Sequence, residues 1–168
     1  PNQWPAESPL PGFRATVEAF LARLAGLADV LMEVLSVGLG LPPRTFTDRF
    51  GERHYSIAKL ISYPPTPPGE AGGNAHHDTG FLTILLQNGV PGLQALNPDG
   101  DWIDVPPTPG AFVVNLGEML QAMTGNYFVA TTHRVICHEP RLSAGHFHGP
   151  DLRASLEPLD LPQRFRDA

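Results

Sequence analysis

Between Phe13 and Leu35 the apolar residues return every three or four positions: Phe13, Val17, Phe20, Leu21, Leu24, Leu27, Ala28, Leu31 and Leu35. That spacing predicts one amphipathic helix from about Gly12 to Val37, stopped by Gly38 and Gly40. Leu41-Pro42-Pro43 then breaks the chain, and a short helix over Pro43–Phe50 fits a proline in its first turn. From His54 the texture turns to that of strands. These are predicted at Tyr55–Tyr63, Ala75–Asp78, Leu82–Gln87, Leu93–Asn97, Trp102–Val105, Ala111–Asn115, Tyr127–Thr131, His133–His138 and Arg141–His148. Asn88-Gly89, Asn97-Pro98-Asp99-Gly100 and the stretch 106–110 mark turns, and the Pro- and Gly-rich run 64–74 reads as a loop. Glu118–Thr124 reads as one short helix, and the segment from Pro150 as a polar tail.

A helical lead-in followed by many short strands predicts a mainly β fold with flanking helices. The expected architecture is a jelly roll of two sheets with the long N-terminal helix packed on the outside of one of them. The chain of 168 residues fits a single domain that can bury a full core. It divides into a helical lead-in and support (1–53), a β core (54–150) and a C-terminal tail (151–168). Its 42% hydrophobic residues exclude a disordered polymer, and 19 Pro with 17 Gly suit strands joined by turns.

Charge removes several classes of partner. The formal net charge is -6, Lys59 is the one lysine, and no basic run exists, so nucleic acid is not an expected partner. No apolar run reaches the roughly 18 residues of a membrane-crossing helix, so a membrane is not an expected partner either. Pro1–Pro11 lack the basic-then-apolar pattern of a signal peptide. Cys137 is the single cysteine, which rules out an intrachain disulfide and suits a reducing cytoplasm.

Candidate chemistry sits on the strands. His76 and Asp78 are two apart, so on a strand both point to one face while His77 points to the other. His133 follows much later in Thr132-His133-Arg134-Val135, far enough along for several strands to wrap round and return. Two imidazoles and one carboxylate make the facial triad of non-haem Fe(II) sites, which leaves the opposite face of the ion open. The same donors serve Mn(II) or Zn(II), and an H-x-D pair with a remote His also occurs as an ordinary polar cluster. Arg141 and Ser143 are again two apart. They offer a guanidinium and a hydroxyl to a carboxylate, with the phenol of Tyr63 as a third donor. His77, His138, His146 and His148 carry no assigned role. His146 and His148 flank Phe147 and are expected to face away from it, at the surface.

Beyond these residues, longer stretches resemble a known family. His76-His77-Asp78-Thr79-Gly80-Phe81-Leu82-Thr83-Ile84-Leu85-Leu86-Gln87 is similar to the first metal-binding stretch of the isopenicillin N synthase-like 2-oxoglutarate/Fe(II)-dependent dioxygenases. Gly92-Leu93-Gln94, Trp102–Pro106 and Pro109–Leu120 follow in that family's order. His133-Arg134-Val135 resembles its distal histidine motif, and Arg141-Leu142-Ser143 its Arg-x-Ser motif. The resemblance implies a double-stranded β-helix that binds Fe(II) through His76, Asp78 and His133. It implies 2-oxoglutarate as co-substrate, held through its distal carboxylate by Arg141 and Ser143 with help from Tyr63. O2 is the oxidant, ascorbate a possible accessory, and a small molecule the substrate, hydroxylated or desaturated with release of succinate and CO2.

The chain departs from the family pattern at Ile61, where many relatives carry Asn, and at Glu118, where Asp is usual. The pattern also includes an upstream segment that supplies outer strands and part of the substrate pocket. Three other readings stay open at this point: a 2-oxoglutarate-independent iron oxidase of the same fold, a truncated metal-binding jelly roll without turnover, and a zinc hydrolase.

Overall fold

The computed structural model describes residues 2–51 and 54–166. Helix α1 (Phe13–Gly38) and the single turn α2 (Thr47–Phe50) lead into β1 (Ile57–Tyr63), β2 (Gly73–His76), β3 (Leu82–Gln87), β4 (Leu93–Leu96), β5 (Trp102–Asp104) and β6 (Val113–Leu116). Helix α3 (Glu118–Met123), β7 (His133–Val135) and β8 (Arg141–His148) follow, and a 3-10 turn at Gln163–Phe165 closes the described chain. The strands form two four-stranded sheets, ordered β1-β8-β3-β6 and β2-β7-β4-β5, with every pairing antiparallel. This is the jelly roll expected from the strand pattern.

Helix α1 ends where its glycines require. Gly40 adopts φ 71°, the left-handed conformation that a Cβ disfavours. Its N–H donates to the Val37 carbonyl and that of Leu41 to the Ser36 carbonyl, which satisfies the last turn in a Schellman arrangement. Leu24, Ala28, Met32 and Ser36 form the buried stripe of α1, which packs on the outer face of β8 and β3.

Two apolar clusters result. The larger joins α1 to the outer face of the first sheet and includes Met32, Phe46, Phe50, Phe81, Leu82 and Ile84; Leu161 of the tail is buried in it. The smaller lies between the sheets, where Leu93, Val135 and Cys137 meet Tyr63, Leu85, Val105 and Val113. The space between the sheets is therefore only partly apolar, and its remainder carries the polar residues considered below.

The short helix starts at Thr47 rather than Pro43, the ends of β1, β4, β5 and β6 shift by one or two residues, and the structure departs more widely from the sequence pattern in four places. Strand β2 lies at Gly73–His76 rather than 75–78, because the Asp78 carbonyl accepts from the Glu118 N–H and leaves the ladder. No strand forms at 127–131. Gly125 and Asn126 turn left-handed after α3, and the following N–H groups are satisfied from that helix: Tyr127 by the Thr124 carbonyl, Phe128 by Thr124 Oγ1 and Ala130 by Gln121 Oε1. Strand β7 stops at Val135, since the Cys137 N–H turns to Thr66 Oγ1. His146 and His148 face away from Phe147 as expected, yet they are 3% and 0% exposed, because that face of β8 lies under α1. Burial pushes the His148 imidazole down to about 4, with His54 and His146 adding to the effect.

Backbone contact fixes the loop after β2. The N–H groups of Gly117, Glu118 and Met119, at the start of α3, donate to the carbonyls of Phe81, Asp78 and Gly80, which uses donors that a helix start leaves unpaired. A Cβ on Gly117 would stand 2.0 Å from the Gly80 carbonyl oxygen, so only glycine fits there. By contrast, a Cβ on Gly26 in mid-α1 meets nothing within 4 Å. Gly117→Ala is expected to lower unfolding stability by about 1–3 kcal/mol, and Gly26→Ala to raise it by roughly 0.5–1 kcal/mol. Urea denaturation checks both, and a silent Gly117→Ala would show that the loop is not held by this contact.

Candidate metal centre

His76 closes β2 and His133 opens β7, and the two are paired across the second sheet. Their rings lie 4.3 Å apart, centroid to centroid. Asp78, 5% exposed, reaches between them from the loop held by α3. Its Oδ1 is 3.9 Å from His76 Nε2 and 3.7 Å from His133 Nε2. The three ligand atoms lie within 4.8 Å of one another, so the structure brings the three sequence-predicted ligands together.

The orientation of each group follows from its other contact. His76 Nδ1 lies 2.7 Å from the Asn74 carbonyl and His133 Nδ1 3.0 Å from the Thr131 carbonyl. A carbonyl only accepts, so both Nδ1 atoms carry the proton, and a neutral ring then presents a lone pair at Nε2. Asn115 Nδ2 donates to Asp78 Oδ2 at 3.4 Å, leaving Oδ1 to face the imidazoles. Separations of 3.7–3.9 Å exceed a hydrogen bond. Two lone pairs and a carboxylate oxygen converging in this way suit a divalent cation, with the neighbouring carbonyls and amide fixing the ligands as outer partners do. His77 points elsewhere, onto Thr132 Oγ1 at 2.7 Å and toward Glu118, although β2 ends before it and strand alternation does not set its direction.

The second predicted group lies on the first sheet. Register pairs Tyr63 with Arg141 and Ile61 with Ser143 on β1 and β8, and Gln87 with Ser143 on β3 and β8. Arg141 is 1% exposed. Its Nη2 donates to Gln87 Oε1 at 2.9 Å, and its guanidinium sits 5.1 Å from the Tyr63 ring centroid. Tyr63 thus meets Arg141 through its ring face. Arg141 Nε and Nη1 and the Ser143 hydroxyl are buried without a hydrogen-bond partner. Leaving buried donors unmet costs about 1–3 kcal/mol each, so this cluster fits an anion with several acceptor oxygens. A carboxylate has that chemistry. Gln87 and Asn115 were not singled out from the sequence, because their roles depend on strand register rather than on a local motif.

A cavity of about 500 Å³ opens beside the metal cluster, walled by Lys59, Tyr63, His76, Asp78, Phe147 and Leu152 among others. Its size is that of a small-molecule pocket. Lys59 Nζ lies 4.6 Å from the Phe147 ring centroid on this wall.

Residues 52–150 match the family model of the 2OG-Fe(II) oxygenase superfamily. The chain belongs to that superfamily. Among its relatives in this oxygenase superfamily, a 2-oxoglutarate-dependent dioxygenase of Gibberella zeae is 34% identical over 99% of the chain and 49% of its own length. Gibberellin 2-beta-dioxygenase 4 of Arabidopsis thaliana is 35% identical over 88% of the chain and 51% of its own length. A full-length Neurospora crassa protein, solved in complex with alpha-KG and thymine, superposes with a TM-score of 0.90 at 30% identity, covering 99% of this chain and 55% of that one. The chain therefore spans about half the length of the curated relatives it matches.

His133→Ala is expected to abolish binding of Mn(II), a redox-stable probe for this site, in a calorimetric titration. Asn115→Ala is expected to weaken it by about 10–100-fold, the usual effect of freeing a ligand's outer partner. Unchanged affinity in both variants would remove the three residues as a ligand set.

Proposed function

We propose that this chain carries the catalytic core of an Fe(II)- and 2-oxoglutarate-dependent oxygenase that hydroxylates or desaturates a small organic substrate, with release of succinate and CO2. The observation that carries this reading is the pairing of two unmet clusters: a His-Asp-His set around a cation-sized gap and a buried guanidinium with free donors. Both clusters lie within residues 52–150, the part of the chain that matches the superfamily model. The neighbour JOX2, solved with 2OG, Fe and JA, has a TM-score of 0.86 at 33% identity and supports the same assignment.

In this reading His76, Asp78 and His133 would hold Fe(II), a donor set that allows the ion to take further ligands. The bound iron, 2-oxoglutarate and O2 supply the oxidising power, with decarboxylation of the keto acid balancing oxidation of the substrate. The remaining work is positional. Arg141 and Ser143 hold the distal carboxylate, Gln87 aims the guanidinium, and the ring of Tyr63 screens it from water, with its phenol as a further donor. The apolar floor of Leu93, Val135 and Cys137 closes the space beneath. Residues 54–150 form the catalytic core, 1–53 the helical support and 151–168 the tail; the boundary at 53 adjoins residues 52 and 53, outside the described part. Among the described residues no helix is long and apolar enough to cross a membrane. A cytoplasmic setting fits the single buried thiol of Cys137, and ascorbate serves as an optional reductant.

Two hydrogen bonds to a charged group, each contributing about 1.5–3 kcal/mol, set the scale for Arg141. Arg141→Met is expected to weaken 2-oxoglutarate binding to the Mn(II)-loaded protein by at least about 100-fold while Mn(II) affinity holds. Turnover with Fe(II) and candidate small molecules should form succinate. Equal co-substrate affinity in the variant contradicts the clamp. Metal binding without any 2-oxoglutarate binding in the wild type would point to a 2-oxoglutarate-independent oxidase of the same fold.

A further inference from the structure

A second cluster of metal-ligand residues lies on the opposite face of β8. Asp29 of α1, His54 of the segment before β1, and His148 at the end of β8 place one ligand atom each within 4.8 Å of one another. Asp29 Oδ1 is 3.7 Å from His148 Nε2 and 3.9 Å from His54 Nδ1. The same two separations occur in the His76-Asp78-His133 set. They exceed a hydrogen bond, while two ligands about 2.1 Å from a tetrahedral ion lie roughly 3.4 Å apart. The two Asp29 separations exceed that spacing by a few tenths of an ångström.

The unmet chemistry points the same way. His148 is fully buried, and its Nε2 has no hydrogen-bond partner; Asp29 Oδ1 is likewise buried and unpartnered. Ser56 Oγ lies 3.4 Å from His148 Nδ1, so the hydroxyl oxygen can accept a hydrogen bond from Nδ1–H, in the tautomer that leaves a lone pair at Nε2 aimed at the carboxylate. In that tautomer a buried lone pair faces a carboxylate oxygen, an arrangement that a cation between them would stabilise. The neighbouring His146 adds two further ring nitrogens that are buried and unpartnered, its ring centroid 5.8 Å from that of His148. The rings of Phe50, His54 and His148 pack together and enclose one side. The side chains of Asp29 and His54, 43% and 29% exposed, open the other to water.

We propose that Asp29, His54 and His148 form a second, structural site for a divalent transition metal of the Zn(II) class, with water in the fourth position. Two imidazoles and a carboxylate with one open position are an established zinc donor set. The ion would cross-link three segments distant in sequence, tying α1 to the end of β8 through the lead into β1. It makes no use of the iron and co-substrate residues, so its success or failure is independent of the proposed activity.

Metal-stripped protein, titrated with Co(II) and separately with Zn(II) and then desalted for metal analysis, tests the proposal. The wild type should retain two equivalents, and Asp29→Asn, His54→Gln and His133→Ala one each. Asp29→Asn combined with His133→Ala should retain none. The Co(II) held by His133→Ala should show the intense visible bands of a four-coordinate ion, and Zn(II) should raise the melting temperature of His133→Ala but not of the double variant. Circular dichroism checks folding. If Asp29→Asn disturbs the helix, His54→Gln, outside any helix or strand, carries the test. A single equivalent in the wild type that His133→Ala eliminates, or two equivalents retained in both Asp29→Asn and His54→Gln, overturns the proposal.

Discussion

Strand β8 has a paired neighbour on each side, β1 and β3, over most of its length. It therefore cannot slip by one residue without breaking two ladders and exchanging its faces. The placement of the buried arginine and of the two buried histidines depends on that register. Arg141, Ser143 and Phe147 are sent into the space between the sheets, while His146 and His148 are sent beneath α1. The apolar contact of α1 with β8 and β3 then decides which face is closed by helix and which remains open as a cavity.

Around His76, Asp78 and His133 the protein works mainly through its backbone. Carbonyls of Asn74 and Thr131 set the imidazole tautomers, and the α3 donors hold the loop that carries Asp78. Side chains enter only as fine adjustment, with Asn115 on one carboxylate oxygen and Gln87 on the guanidinium. Such an arrangement holds the three side chains in position through contacts of their own, so little ordering would be left for a bound group to impose.

Much of this was legible in the amino-acid order. The three- and four-residue spacing of α1 and the two-residue spacing of Arg141 with Ser143 are local signals that survive in the structure, whereas His76 and Asp78 converge although Asp78 has left the strand on which their spacing put it. What escaped depends on distant partners. Residues 127–131 carry strand-forming side chains, yet their N–H groups are taken by Thr124 and Gln121. His146 and His148 look like a polar strand end until α1 is laid over them. Asn115 and Gln87 become meaningful only when registers place them beside Asp78 and Arg141. Asp29, His54 and His148 belong to three separate segments, and no spacing rule could have joined them.

The contact between Gly117 and the Gly80 carbonyl has an evolutionary side. Because main-chain atoms of Asp78, Gly80 and Phe81 receive the α3 donors, the side chains of that helix have little hold on where the carboxylate sits. Met119, which lines the cavity, can drift in size and shape while position 117 stays bare. The cavity wall on one side of the helix can thus change without dragging the His76-Asp78-His133 geometry along.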